Sequence, residues 1–253
     1  MQYGRNSRRI KSEMSSAFEP PSLSCDADRI AQVGGGVSKH LAMPDRQAQN
    51  ARMAHQPTTS YLKDSIGLFH YYKKLGERAM AQCPDEGLFL TLDAESNSVA
   101  IIVKHMAGNM RSRWTNFLTT DGEKPDRNRD TEFEEAPKTR AELMAAWDRG
   151  WKSLFDALES LTDADMERIV TIRTEPHSVM QAINRQIAHY AYHVGQIIFL
   201  AKHLTAQATG KWETLSVARG KSAEINAKVA AGEVSQRSIL FASKTDRNPP
   251  RAS

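Results

Sequence analysis

A helical apolar period that returns four times, each time over several turns, is the feature that most narrows what this chain can fold into. In residues 178–205, Val179, Ile183, Ile187, Tyr190, Val194, Ile197 and Leu204 recur at intervals of three, four and seven, the spacing that lines one face of an α-helix. Leu143, Trp147, Trp151, Leu154, Leu158 and Leu161 repeat the pattern over about 138–161. Leu62, Ile66, Phe69, Tyr72 and Leu75 do so over about 58–82, and Val99, Ile102, Met106, Met110 and Phe117 over about 95–118. Four amphipathic stripes of this length bury themselves against one another, so the expected fold class is all-α, a four-helix bundle.

Local signals punctuate the pattern. Pro84 stops the first helix near Cys83, Ser96 or Asn97 caps the second, and Thr139 with Glu142 forms a capping box at the third. Arg168-Ile-Val-Thr-Ile-Arg173 alternates and predicts a short extended or hairpin element. The connection 119–130 is too long for a tight helix–helix turn, which gives it a packing or site-forming role. A short helix near 221–231 and the Trp212–Val217 stretch are expected on the outside.

The ends read differently. Residues 1–57 mix Ser, Gly, Pro and scattered charge without apolar periodicity, a composition expected to stay disordered; Met53 is a possible alternative start. The expected organisation is a disordered extension over 1–57, a helical-bundle domain over 58–232 and a C-terminal tail over 233–253. The net charge of +4 belongs to the ends. The first 57 residues hold eight basic and five acidic side chains and the last ten hold three and one; of 34 and 30 in all, 23 basic and 24 acidic remain over 58–243. A nearly neutral core has no electrostatic footprint for nucleic acid. Two cysteines, Cys25 and Cys83, imply no disulfide framework. No stretch has the apolar length of a membrane span. A cytoplasmic protein with no nucleic-acid or membrane partner is the expectation.

The chemistry concentrates in histidines. His189 and His193 lie four apart on the last predicted helix, about 40° apart in azimuth and roughly 6 Å in height, close enough to share one metal ion. His105, on the second helix, is a third candidate ligand. Three histidines leave a coordination position open, the arrangement of a catalytic rather than a structural site. The alternative is that these are ordinary buried histidines hydrogen-bonded to Gln, Asn or backbone. His203 lies about 15 Å further along the helix than His193 and reads as a cation partner of a helix C-terminus. His70 and His177 read as surface or capping residues, His40 and His55 carry no weight, and Trp147 and Trp151 read as core. Neither His-Glu-x-x-His nor Gly-x-Ser-x-Gly is present.

Five motifs in order carry a resemblance: Lys104-His-Met-Ala-Gly-Asn-Met-Arg-Ser-Arg-Trp114, Asp121-Gly-Glu-Lys-Pro125, Arg127-Asn-Arg-Asp130, the His189/His193 helix, and Gly210-Lys-Trp-Glu-Thr-Leu-Ser-Val-Ala-Arg-Gly-Lys-Ser222. On these, residues 60–232 resemble the DinB/YfiT-like superfamily of metalloenzymes, most closely a bacterial branch without an assigned reaction. The resemblance implies a four-helix bundle with one metal-binding histidine on the second helix and two on the fourth, which fall on His105, His189 and His193. Characterised relatives are bacillithiol S-transferases and a mycothiol-dependent isomerase that use a divalent metal, often zinc or nickel. The function this implies is a metal-dependent transfer to or from a low-molecular-weight thiol, acting on a small-molecule substrate. A metal-dependent hydrolase and a non-catalytic metal-binding or stress-response interaction protein are the alternatives. Asn109, Arg113 and Gln196 are candidates for orienting or binding the cofactor, and no catalytic residue is assigned. A homodimer is expected from the family, with no face indicated.

Overall fold

The computed structural model describes residues 59–235. Cys25, His40, Met53, His55 and the extension assigned to 1–57 lie outside those residues. Within them the chain is mostly helical. Four long helices, α1 (Tyr61–Gln82), α2 (Val99–Trp114), α3 (Arg140–Glu159) and α4 (Val179–Thr209), are followed by a short α5 (Ser222–Ala230); a two-stranded sheet, β1 (Ile169–Ile172) and β2 (Glu175–Ser178), sits between α3 and α4.

The helix starts follow from side chains that satisfy first-turn N–H groups. Ser60, Ser98, Thr139 and Ser178 each accept from the backbone N–H three residues on. Ser98 thus displaces the expected Ser96 or Asn97 as the α2 cap. Its hydroxyl reaches Ile101 N at 3.2 Å, and Val99 begins the buried face at once. At Ser178 the Gln181 side-chain oxygen accepts in return from the cap's own N–H, completing a capping box, whereas the Glu142 carboxylate accepts from Lys138 N, one residue before the Thr139 cap. Helix α4 ends on Gly210, whose φ of 67° is the left-handed stop glycine takes without steric cost. That end lies six residues past His203, which is therefore not in the last turn; its ring instead stacks on Phe199.

The helices touch in a ring, α1 to α4 to α2 to α3 and back to α1, with the α2–α3 and α1–α4 pairs the most extensive. Each contributes to one aromatic knot at the centre. Phe69 of α1 lies 6.3 Å from Trp114 of α2, 6.4 Å from Trp151 of α3 and 5.9 Å from Tyr190 of α4, between ring centroids. All are at most 2 % exposed, so Trp151 is core, as is Trp147 beside it. Gly150 lets α3 close on α2: a Cβ there would stand 2.9 Å from the Cα of Ala107. A chain Trp114 Nε1–H to Tyr190 Oη (3.1 Å) to Asn109 Oδ1 (2.9 Å) crosses the same interface, tying the knot to the face of α2 that carries His105.

The long connection after α2 folds back over it. Ser112 and Arg113 donate to Gly122 O at 2.9 and 2.5 Å, and Gly122 N donates to Thr171 O at 2.7 Å, joining the connection to β1. The β1–β2 hairpin is antiparallel, pairing Ile169 with Ser178 and Ile172 with Glu175. Its turn residues Arg173 and Thr174 have φ of 54° and 66°, a left-handed conformation that costs a non-glycine residue about 1–2 kcal/mol. Asp121 offsets this by accepting from both their N–H groups, at 2.8 and 2.7 Å. The result is a hairpin clamped against the end of α2.

Candidate metal centre

His105 reaches the centre from α2, and His189 and His193 from α4, across the α2–α4 contact. His105 is 3 % and His193 7 % exposed, and the three histidines offer nitrogen atoms all within 4.8 Å of one another. Glu132 Oε2 lies 2.9 Å from His105 Nδ1. Burial pushes the Glu132 carboxyl up, but the His105 and Arg127 hydrogen bonds outweigh it and hold the group below its ordinary range. A carboxylate only accepts, so His105 Nδ1 carries the proton and Nε2 faces the other two rings. Gln196 Oε1 lies 2.8 Å from His193 Nδ1 and sets that ring the same way.

The outcome is a buried pocket of ring nitrogens without donors. His193 Nε2 and His189 Nδ1 are buried and have no partner. Burial, with the neighbouring histidines and arginines, lowers His189 to about 3, and burial with His105, partly opposed by the Gln196 hydrogen bond, lowers His193 to about 4. Both rings are therefore neutral near pH 7, the form that binds metal. An unsatisfied buried acceptor such as His193 Nε2 is costly, and a divalent cation held together with the Nε2 atoms of His105 and His189 would satisfy it. The spacing agrees: nitrogens bound about 2.05 Å from one tetrahedral ion stand about 3.4 Å apart, and His105 Nε2 is 3.4 Å from His189 Nε2. The three histidines can hold a metal ion.

Glu132 has no counterpart in the sequence reading. It sits on a 3-10 turn, Asp130–Phe133, 27 residues from His105, at a spacing that signals nothing. Arg127 grips it through Nε to Oε1 at 2.8 Å and Nη2 to Oε2 at 2.9 Å, while Phe133 stacks on the His105 ring at 4.6 Å. A hydrogen-bonded carboxylate behind a ligating histidine fixes its tautomer and raises its basicity. Glu132 comes this close to α2 because residue 108 is glycine. The length of the 119–130 connection was the one available sign that the segment builds a site.

A cleft of about 360 Å³ opens beside the histidines and is lined by His105, His189, Asn109, Arg113 and Tyr192 among others. Asn109 and Arg113 both line this cleft, and the Asn109 oxygen already accepts from Tyr190. Gln196 does not line this cleft; it lies behind His193 and borders a separate hollow with Leu92 and Phe199. His70 is not in the histidine group and stacks on Phe155 at 3.9 Å, and His177 bonds the Glu175 carbonyl. Cys83 is buried at the end of α1, and burial pushes its thiol up, away from a reactive thiolate. No helix among the described residues is long and apolar enough to cross a membrane.

A family model described as a protein of unknown function, DUF1572, matches residues 56–221, which take in all three histidines, Glu132 and the hairpin. No curated protein and no solved structure matches the chain.

Proposed function

The chain belongs to the DUF1572 family of proteins of unknown function, and on that premise we propose that it is a divalent-metal-dependent enzyme of the DinB/YfiT-like type. Its four long helices then form the four-helix bundle of that superfamily, and the reaction is transfer of a low-molecular-weight thiol to or from a small electrophilic substrate. The observation that carries this reading is the convergence of three histidine nitrogens within 4.8 Å beside an open cleft that His105 and His189 line. A structural or storage site would be closed; an accessible cleft supports catalysis.

His105, His189 and His193 would hold the ion. A divalent metal supplies Lewis acidity there, lowering the pKa of a thiol or water that approaches it. The chain's own residues do the rest. Glu132 and Gln196 hold the protons of His105 and His193 on Nδ1, so that Nε2 points inward. Tyr192, about half exposed and 4.1 Å from the His193 ring, limits water at the mouth. No carboxylate lines the cleft among the described residues, and Glu132 is already committed to His105 and Arg127. A base for water activation is thus missing, which favours a thiol over the hydrolytic alternative.

The test is elemental analysis of wild type and His193→Ala purified without chelator, then thiol consumption with a general electrophile. About one ion per wild-type chain, lost in the variant, with metal-dependent thiol turnover, is the expected result. Stoichiometric metal without turnover for any thiol supports a non-catalytic metal-binding protein, and no metal after reconstitution refutes the site.

A further inference from the structure

Guanidinium groups make up much of the wall of the cleft that His105 and His189 line. Arg113, Arg127, Arg129, Arg173 and Arg185 all line it, and no carboxylate does. They arrive from four different places: Arg113 from α2, Arg127 and Arg129 from the long connection, Arg173 from the strained hairpin turn and Arg185 from α4. Convergence of five like charges on one small cavity is unfavourable unless something negative completes it.

The protein completes it only in part. Glu123, behind the wall, is shared by Arg113 at 3.2 Å, Arg127 at 3.2 Å and Arg173 at 3.1 Å, and Glu132 takes the remaining face of Arg127. Five positive charges stand against those two negative ones. Arg129 lies over the Phe133 ring, 5.2 Å from its centroid, and has no carboxylate partner among the described residues. Arg185 is exposed and makes no ion pair or hydrogen bond among them. Two deeply buried side chains on the same wall also have an unpartnered atom: Nε of Arg113, 4 % exposed, and Oε1 of Gln186, 2 % exposed. A solvated surface patch would not bury these groups, and a purely structural network would pair them.

We propose that this cleft is an anion subsite that anchors a carboxylate or phosphate group of the small molecule acted on at the metal centre. Arg173 and Arg185 make the direct contacts, and Arg113 and Arg127 provide fixed positive charge behind them. Guanidinium forks match both anions in a bidentate geometry. Arg185 precedes His189 by one turn on α4, about 6 Å along the axis, so an anion held by Arg185 leaves the rest of a small molecule within reach of the histidines. A cavity of about 360 Å³ suits a small molecule and not a polymer. The inference rests on the metal-enzyme reading for what reacts, but the subsite itself exists without the metal.

Titration calorimetry on the full chain stripped of metal, at low ionic strength, tests it with succinate, inorganic phosphate and neutral succinamide as probes. One saturable site for succinate or phosphate and none for succinamide is expected, and the stronger anion identifies the group recognised. Arg173→Ala and Arg185→Ala should each weaken it about tenfold or more; Arg185 has no partner to lose, so that variant keeps its fold by circular dichroism. Saturation by neither anion, or unchanged affinity in both variants, overturns the proposal. Zinc titrated into the same stripped protein separates the two readings. Zinc bound without an anion site removes the subsite alone, while an anion site without zinc supports the subsite and removes the metal enzyme.

Discussion

One methyl group at residue 108 should weaken the metal site while sparing the fold. Gly108 follows His105 by three residues on α2, and a Cβ there would fall 2.3 Å from Oε1 and 2.8 Å from Cδ of Glu132. Carbon and oxygen stay about 3.3 Å apart in nonbonded contact, so in Gly108→Ala the carboxylate must withdraw by about 1 Å. The His105 hydrogen bond, 2.9 Å in the structure, then passes the roughly 3.5 Å at which such a bond ceases to count. Loss of a carboxylate behind a metal-binding histidine costs about 10–100-fold in affinity, or about 1.4–2.7 kcal/mol. The same substitution gains up to about 1 kcal/mol of helix propensity. Zinc affinity of the stripped protein, measured by competition with a chromophoric chelator, should therefore fall 10–100-fold, while its urea stability stays within about 1 kcal/mol of wild type. Glu132→Gln should show the same affinity loss, and the double variant no more than either single one, because both remove one interaction. Wild-type zinc affinity in Gly108→Ala, or fully additive losses in the double variant, would refute the reasoning.

Three other outcomes follow from the packing and the ion pairs. Gly150→Ala places a Cβ 2.9 Å from the Ala107 backbone, so despite better helix propensity it should destabilise the protein by about 1–3 kcal/mol in urea. Tyr190→Phe leaves Trp114 Nε1 and Asn109 Oδ1 unpaired in the core; a loss of about 1–3 kcal/mol with unchanged zinc stoichiometry is expected. Burial pushes Glu123 up, but Arg173, Arg127 and Arg113 outweigh it and hold its folded pKa below the ordinary value. Its stabilisation is then present above the unfolded pKa of about 4.3 and lost as pH falls through the folded value. Glu123→Gln should accordingly lower the urea midpoint at pH 7, with the gap narrowing as pH falls below the unfolded value and closing only below the folded one; a gap constant with pH would show that the charge does not matter.

The helices were legible because their cause is local. Apolar spacing, the Thr139 cap and the breaker at Pro84 act over a few residues, and the elements they predict are all present, with ends moved by a few positions at Ser98 and Thr209. The relation of His189 to His193 was equally intrinsic, since one helix sets their separation whatever surrounds it. The Arg168–Arg173 alternation likewise foreshadowed β1.

Everything that joins distant segments was decided by the tertiary structure. His105 meets the other two histidines only because α2 packs against α4. Glu132 becomes their support only because the connection folds back over Gly108, held by Ser112, Arg113 and Arg127. Five arginines separated in sequence by up to 72 positions become one wall because Asp121 clamps the hairpin and Glu123 gathers the connection. Periodicity is written by neighbours along the chain, whereas a binding site is written by loop closures whose contacts, many residues apart, have no period to read.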